Sequence, residues 1–147
     1  MQKILGLFLF GIVLLTNIEA KDYEIKMLDM DKKGHTMVFD PPFLQIQPGD
    51  TITFIPTHKS HFAQSKVIPD GAEHFLSPLD QKTTFQLNQE GVYLYVCPPH
   101  QMMNMVGIIQ VGKAVNMQEI RSALPKLERK AMTNKGRFLE YAKQIQE

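Results

Sequence analysis

The sequence has 147 residues, of which 44% are hydrophobic, and its 16 lysine and arginine residues are balanced by 15 acidic ones. A net charge of +1 provides no strongly basic surface, so nucleic acid is not an expected partner. The single cysteine, Cys97, excludes a disulfide within the chain.

The first twenty residues have the pattern of a secretory signal peptide. A short basic start is followed by an apolar run from Ile4 to Leu15, and the segment ends in the small residue Ala20. The run is shorter than the ~20 residues needed to span a bilayer, so we expect cleavage rather than anchoring. The mature chain, residues 21–147, then has no membrane span and forms one domain.

Short β-runs separated by turn residues occupy positions 22–112. Tyr23, Ile25 and Met27 alternate with charged residues, and turn sequences stand at 48–50 (Pro-Gly-Asp) and 69–71 (Pro-Asp-Gly). Further runs lie at 36–39, 43–46, 51–55, 83–87, 92–96 and 106–111. Seven or eight such strands predict an all-β fold, a Greek-key β-sandwich.

The pattern changes to helical in the tail, residues 116–146. Asn116 can cap a first helix, which Pro125 is expected to end. A second helix is predicted over Lys126–Ile145, with Gly136 weakening its middle. We expect a C-terminal extension of about two helices, packed on the sandwich within the same domain.

Three metal-binding side chains share one short loop between two β-runs. Cys97 ends the first run, His100 follows it, and Met105 begins the second run. Thiolate and thioether favour reduced copper while imidazole tolerates both oxidation states, so this set is typical of a blue-copper site. Met105 could instead be a core residue, with Met103 as the weak axial ligand.

A trigonal blue-copper site needs a second histidine from elsewhere in the chain. His58 and His61 both follow the run at 51–55, and residue spacing alone barely separates them. His35 is a third candidate and His74 a poorer fourth.

The sequence resembles the pseudoazurins, bacterial members of the cupredoxin family, over nearly the whole mature chain. The matching segments are Met37-Val38-Phe39, Pro48-Gly49-Asp50-Thr51, Phe54-Ile55-Pro56-Thr57, Ile68-Pro69-Asp70-Gly71, Gly91-Val92-Tyr93, the Cys97–Met105 loop and Gln110-Val111-Gly112. The loop spacing is also that of plastocyanin, but the helical tail favours pseudoazurin.

This resemblance implies a single copper ion in a type 1 site. Its ligands would be His61, Cys97, His100 and Met105. The alignment also implies that Met37 lies beside the ring of His100. Two residues depart from the family pattern: Phe62 and Pro98 replace the asparagine and threonine that tie the ligand loops together in pseudoazurins.

The function that follows from the resemblance is periplasmic transport of single electrons, without enzymatic activity. The expected partners are periplasmic reductases of the nitrite reductase type or a c-type cytochrome, and the protein is expected to be a monomer. A copper carrier or storage protein is the alternative, and a copper-dependent reductase is a weaker one, because His35, His58 and His74 form no second constellation along the sequence.

Overall fold

Two packed β-sheets form the body of the molecule in a computed structural model, which describes residues 19–147. The strands are β1 (Asp22–Met30), β2 (Thr36–Asp40), β3 (Phe43–Ile46), β4 (Thr51–Pro56), β5 (Gln64–Val67), β6 (Thr83–Gln86), β7 (Gly91–Val96) and β8 (Val106–Val111). One sheet has the order β2-β1-β4-β6 and the other β3-β8-β7-β5. Both are mixed, because β1 pairs with β4 and β3 with β8 in parallel. The predicted β-sandwich is confirmed.

Strand β7 is buried on both faces, which explains why it reads as a continuous apolar run. Tyr93 and Tyr95 belong to the core between the sheets, whereas Val92, Leu94 and Val96 belong to a second core beneath the helices. Side chains alternate along a strand, so the next inward position after Tyr95 is Cys97. Cys97 therefore lies at the end of the inner core and is fully buried.

The tail covers the outer face of β7 and β8 with two helices, α1 (Met117–Glu128) and α2 (Arg137–Ala142). Ile120, Leu124 and Phe138 are buried against these strands. Among the described residues, the helices are too short or too polar to cross a membrane.

Both predicted helix boundaries around Pro125 are wrong. Helix α1 passes through Pro125 and ends at Glu128, and the second helix is limited to Arg137–Ala142 instead of Lys126–Ile145. Proline removes only one helical hydrogen bond, and the burial of Leu124 holds the last turn in place. Gly136, with φ of 86°, precedes α2 in a left-handed conformation that interrupts the longer helix.

The side chain of Asn116 does not cap α1. Its Oδ1 accepts a hydrogen bond from Val92 N at 2.8 Å, and its Nδ2 donates to Val92 O at 2.9 Å. Only its carbonyl begins the helix, by accepting from Ile120 N at 3.2 Å. Asn116, which was expected to cap the helix, therefore links the tail to the start of β7 instead.

The sequence analysis also missed strand β5, Gln64–Val67. This strand lies at a sheet edge and is polar at three of its four positions, and its register with β7 shifts between Ser65 and Val67. Neither a strict alternation nor an apolar run marks it.

The predicted signal peptide lies outside the described residues, except for its last two positions.

Candidate metal centre

Three ligand atoms converge at the end of the sandwich where β7 and β8 meet the ligand loop. The sulfur of Cys97 is 3.8 Å from Nδ1 of His61 and 3.5 Å from Nδ1 of His100. Ligand atoms of the three residues all lie within 4.8 Å of one another. The two imidazole rings meet edge to face, with centroids 4.8 Å apart.

These distances fit a metal in a trigonal plane. Zinc, the first-row neighbour of copper, binds thiolate at about 2.3 Å and imidazole at about 2.0 Å, which separates sulfur from nitrogen by about 3.7 Å in such a plane. The observed separations of 3.5 and 3.8 Å bracket this value. The donor set of one thiolate and two imidazoles is the one that copper takes in trigonal blue-copper sites.

The ligand loop, Cys97–Met105, is held in shape by its own backbone. Cys97 N donates to Met105 O at 2.9 Å, which extends the ladder of β7 and β8 by one step. His100 N donates to Cys97 O at 3.0 Å, and Met105 N donates to His100 O at 3.2 Å. A 3-10 helix over Pro98–Met103 fills the loop, and proline at its start suits positions where a backbone N–H has no helical acceptor.

Met105 is fully buried and packs in the inner core with Cys97, whereas Met103 is 43% exposed. A side chain with 43% of its surface exposed is poorly placed to reach a ligand set whose cysteine and first histidine are fully buried. Burial thus favours Met105 over Met103 as the axial thioether.

His61 is brought to the cluster by a carboxylate that binds its backbone. His61 N donates to Asp80 Oδ1 at 3.0 Å, and Asp80 N donates to His61 O at 3.0 Å. Hydrogen bonds from the backbone N–H groups of Ser60 and His61 lower the pKa of the Asp80 carboxyl. The carboxylate therefore stays ionised while it holds the first histidine in place.

Asp29 orients the ring of His61 from the other side. Its Oδ1 lies 2.9 Å from His61 Nε2, the nitrogen that faces away from Cys97. In the neutral ring, a proton held on Nε2 by this hydrogen bond leaves the lone pair of Nδ1 available to a metal. This carboxylate–histidine pair is the arrangement that supports many metal-binding histidines.

The other histidine candidates have different partners. His58 Nδ1 lies 2.8 Å from the backbone nitrogen of Asp29 and so accepts its hydrogen bond. His35 pairs with Asp31 at 2.8 Å, and His74 Nδ1 lies 2.9 Å from Ser65 Oγ. Among residues 19–147, only His61 and His100 join Cys97 in the metal-ligand cluster.

Burial shifts the pKa values of two of the metal-free ligands, Cys97 and His100. Burial raises the pKa of the Cys97 thiol to about 11, although hydrogen bonds from the backbone N–H groups of Phe62 and His100 oppose the rise. Burial and the neighbouring His61 lower the pKa of His100. A metal at this position would therefore meet a neutral His100 and would displace the thiol proton of Cys97.

Exposure differs among the three converging ligands. His61 and Cys97 are fully buried, while His100 is half-buried and lies among the exposed residues Pro99, Met102 and Met103. The ring of His100 is therefore the part of the cluster nearest to solvent.

Met37 packs against the inner core that contains Cys97 and Met105. Its predicted contact with the ring of His100 stays a prediction.

Asp29 and Asp80 were missed by the sequence analysis. Both are acidic residues in ordinary positions, and neither has a local spacing that marks it as a partner of His61. Their positions beside His61 become visible only in the folded structure.

Comparisons with known proteins identify relatives along most of the chain. Residues 26–112 match the family of copper-binding proteins that includes plastocyanin and azurin. A putative pseudoazurin of Rhizobium leguminosarum bv. viciae is 38% identical over 135 residues, which cover 84% of this chain and 88% of the relative. Pseudoazurin of Paracoccus pantotrophus is 38% identical over 117 residues, covering 77% and 80%.

The fold agrees with a solved structure of the same group. Native pseudoazurin from Hyphomicrobium denitrificans superimposes with a TM-score of 0.65 and 39% identity, covering 68% of this chain and 82% of that one. This chain is therefore similar to that pseudoazurin in its fold as well as in its sequence.

Proposed function

Since the chain belongs to the pseudoazurins, within the plastocyanin/azurin family of copper-binding proteins, we propose that it carries single electrons through a type 1 copper site. The proposed ligands are His61, Cys97, His100 and Met105. The observation that carries the proposal is the placement of two histidine Nδ1 atoms 3.5 and 3.8 Å from one buried thiol.

Bound copper would supply reversible one-electron chemistry between its two oxidation states. The protein contributes a ligand set that suits both states and is held before the metal binds. Asp29 and Asp80 hold His61 at its ring and backbone, and the β7–β8 ladder holds Cys97. Because these supports are already in place, we expect little rearrangement when the electron arrives or leaves.

The half-buried ring of His100 is the proposed port for the electron. It joins the buried cluster to the surface among Pro99, Met102 and Met103. A partner that docks here comes close to the copper ligands without binding the metal itself. Electron transfer without a change of metal ligands needs this proximity.

The proposed partners are redox proteins, namely a periplasmic reductase of the nitrite reductase type or a c-type cytochrome, met by a monomer. Stopped-flow mixing with each purified partner tests this proposal. Fast electron exchange with one of these partners, slowed by Met102→Glu, would support docking at His100. Equal exchange rates for the wild-type protein and the Met102→Glu variant would argue against that surface.

The proposed location is the periplasm, supported by the signal-like sequence at residues 1–20. Expression in a Gram-negative host followed by fractionation and mass measurement tests it. We expect a periplasmic product that begins at Lys21, and an intact chain in the cytoplasm would contradict the proposal.

Copper binding itself is tested by adding Cu(II) to the purified protein. We expect one ion per chain and an intense visible absorption from copper bound to thiolate. Cys97→Ser and His61→Ala should abolish the colour, whereas His58→Ala, the matched control, should retain it. A colourless wild-type protein under oxidising conditions would contradict the proposal.

The carrier alternative is separated from electron transport by two further measurements. Reversible one-electron voltammetry with retention of copper in the presence of acceptor proteins supports the electron carrier. Rapid transfer of the ion to an acceptor would favour a copper carrier instead.

A further inference from the structure

The ligand loop is bound along one side by the tail, which is distant in sequence. Met132 N and Thr133 N donate to Met102 O at 2.7 and 3.2 Å. Asn134 Nδ2 donates to Met103 O at 2.9 Å. Backbone carbonyls at the end of a 3-10 helix lack helical partners, and here the segment between α1 and α2 supplies them.

Asn104, which precedes the proposed ligand Met105, is held by several contacts to the tail. It is 1% exposed and has a left-handed φ of 57°. Its Nδ2 lies 3.1 Å from each carboxylate oxygen of Glu128 and 2.9 Å from Asn134 O. The two hydrogens of the amide are therefore directed at the carboxylate and at one carbonyl of the tail.

Glu128 accepts hydrogen bonds from two parts of the chain, the ligand loop and the start of α2. Beside Asn104 of the ligand loop, its Oε1 accepts from Gly136 N at 2.5 Å and its Oε2 from Phe138 N at 3.1 Å. Its own backbone ends α1. Hydrogen bonds to a carboxylate are stronger than those between neutral groups, so this one side chain joins α1, the start of α2 and the loop.

Arg137 holds the loop at a second point. Its Nη1 donates to Asn104 O at 3.2 Å, and also to Thr36 O and Met37 O at 2.9 and 2.7 Å. Asn104 is thus fixed through its side chain by Glu128 and through its carbonyl by Arg137. Neither the backbone nor the amide of this residue can shift without breaking contacts to the tail.

We propose that Glu128 is a positioning residue for the copper site, acting through Asn104 on the ligand loop. This proposal rests on the proposed function for its copper readouts. Residues that orient metal ligands from behind typically change metal affinity by about 10 to 100-fold when removed. We expect Glu128→Ala to weaken copper binding by about tenfold and to alter the copper absorption spectrum and the reduction potential.

A matched control separates positioning from general stability. Asn116→Ala also removes a polar side chain that links the tail to the sandwich, but its partner Val92 lies near the start of β7, whereas Cys97 follows the end of that strand. We expect both variants to unfold at lower urea concentration. Only Glu128→Ala should change the copper spectrum and affinity, and equal copper effects in both variants would overturn the proposal.

A double-mutant cycle with Asn104→Gly tests the route. Glycine accepts the left-handed φ of this position without strain, so the variant removes the amide but keeps the backbone. Asn104→Gly should reproduce the copper effects of Glu128→Ala. The double variant should be no weaker in copper affinity than either single one, because both remove the same link. Additive losses would overturn the proposal that Glu128 acts through Asn104.

Hydrogen exchange of the metal-free protein makes the test independent of copper. Glu128→Ala should speed amide exchange at residues 100–105 by about tenfold more than it speeds exchange in β1, whose amides report the loss of overall stability. Asn116→Ala should leave the loop rates unchanged. If the wild-type protein failed to form a coloured copper site, the proposed function would fail, yet the exchange rates would still decide whether Glu128 holds the loop. Unchanged loop exchange in Glu128→Ala would overturn the proposal.

Discussion

Oδ1 of Asp29 lies 2.9 Å from Nε2 of His61, on the side of the imidazole ring opposite to the sulfur of Cys97. The carboxylate is 54% exposed, whereas the ring is fully buried. Asp29 also offers its backbone N–H to His58 at 2.8 Å. Asp29, near the end of β1, therefore orients the buried ring of His61. Its backbone also holds His58, the other candidate histidine, in a hydrogen bond.

We predict that Asp29→Asn raises the reduction potential. Removing a negative charge beside His61 destabilises the oxidised, more positive copper. A tenfold change in the relative affinity for the two states corresponds to about 59 mV for one electron, and solvent screening at this exposed site should limit the rise to about 30 to 60 mV. Voltammetry measures the shift. Asp31→Asn, which removes the same charge at a residue paired with His35, should shift the potential less, and equal shifts would contradict the prediction.

Replacing Met105 tests the weakest of the four proposed ligands. Met105→Leu keeps the volume of this fully buried side chain but removes its sulfur. We expect the colour to remain and the potential to rise by at least about 59 mV, because the oxidised copper loses its axial donor. Met103→Leu is the matched control at a 43% exposed position and should leave the potential unchanged. A larger shift in the control would assign the axial position to Met103.

The buried thiol predicts a pH dependence of stability in the metal-free protein. Burial raises the pKa of Cys97 from 9.0 to about 11. Between these values the unfolded thiol ionises while the folded one keeps its proton, so the free energy of unfolding falls as the pH rises. The stabilisation from the buried neutral thiol is fully present below pH 9. A difference of two pKa units corresponds to a loss of about 2 to 3 kcal/mol in the free energy of unfolding as the pH rises through 11.

Urea unfolding at pH 7 to 11 measures this loss, with Cys97→Ser as the control. Both proteins share Tyr93, whose pKa burial raises to about 12, so the difference between them isolates the thiol. We expect the serine variant to lose less stability between pH 9 and 11. Parallel curves would show that the thiol contributes no pH dependence.

Gly107 is predicted to be required by the ring across the sheet. Gly107 in β8 pairs with Tyr95 in β7, and a Cβ at Gly107 would lie 2.2 Å from Cζ and Oη of the ring. Gly107→Ala should therefore lower the free energy of unfolding by about 1 to 3 kcal/mol, the usual cost of overpacking. Urea denaturation checks the value. In a Tyr95→Leu background the same change should cost less, because the clashing ring is gone.

Much of the fold and part of the site followed from local patterns. The alternation at Tyr23, Ile25 and Met27, together with the apolar runs of β7 and β8, predicted the sandwich. Local patterns failed where long-range contacts decided the outcome. Pro125 lies within α1 because Leu124 is buried, and the amide of Asn116 binds Val92 rather than the helix.

The sequence by itself determined the grouping of Cys97, His100 and Met105, because residues on one short loop stay close in any fold that pairs the two flanking strands. Residue spacing left His58 and His61 open and the family resemblance implied His61, and the tertiary structure brings His61 to Cys97 and His100. His61 is 36 positions from Cys97, and its approach depends on Asp29 and Asp80, which belong to other segments. Glu128 reaches the loop across 24 positions for the same reason. Local spacing carries no information about such contacts, since packing of the sheets and the tail creates them.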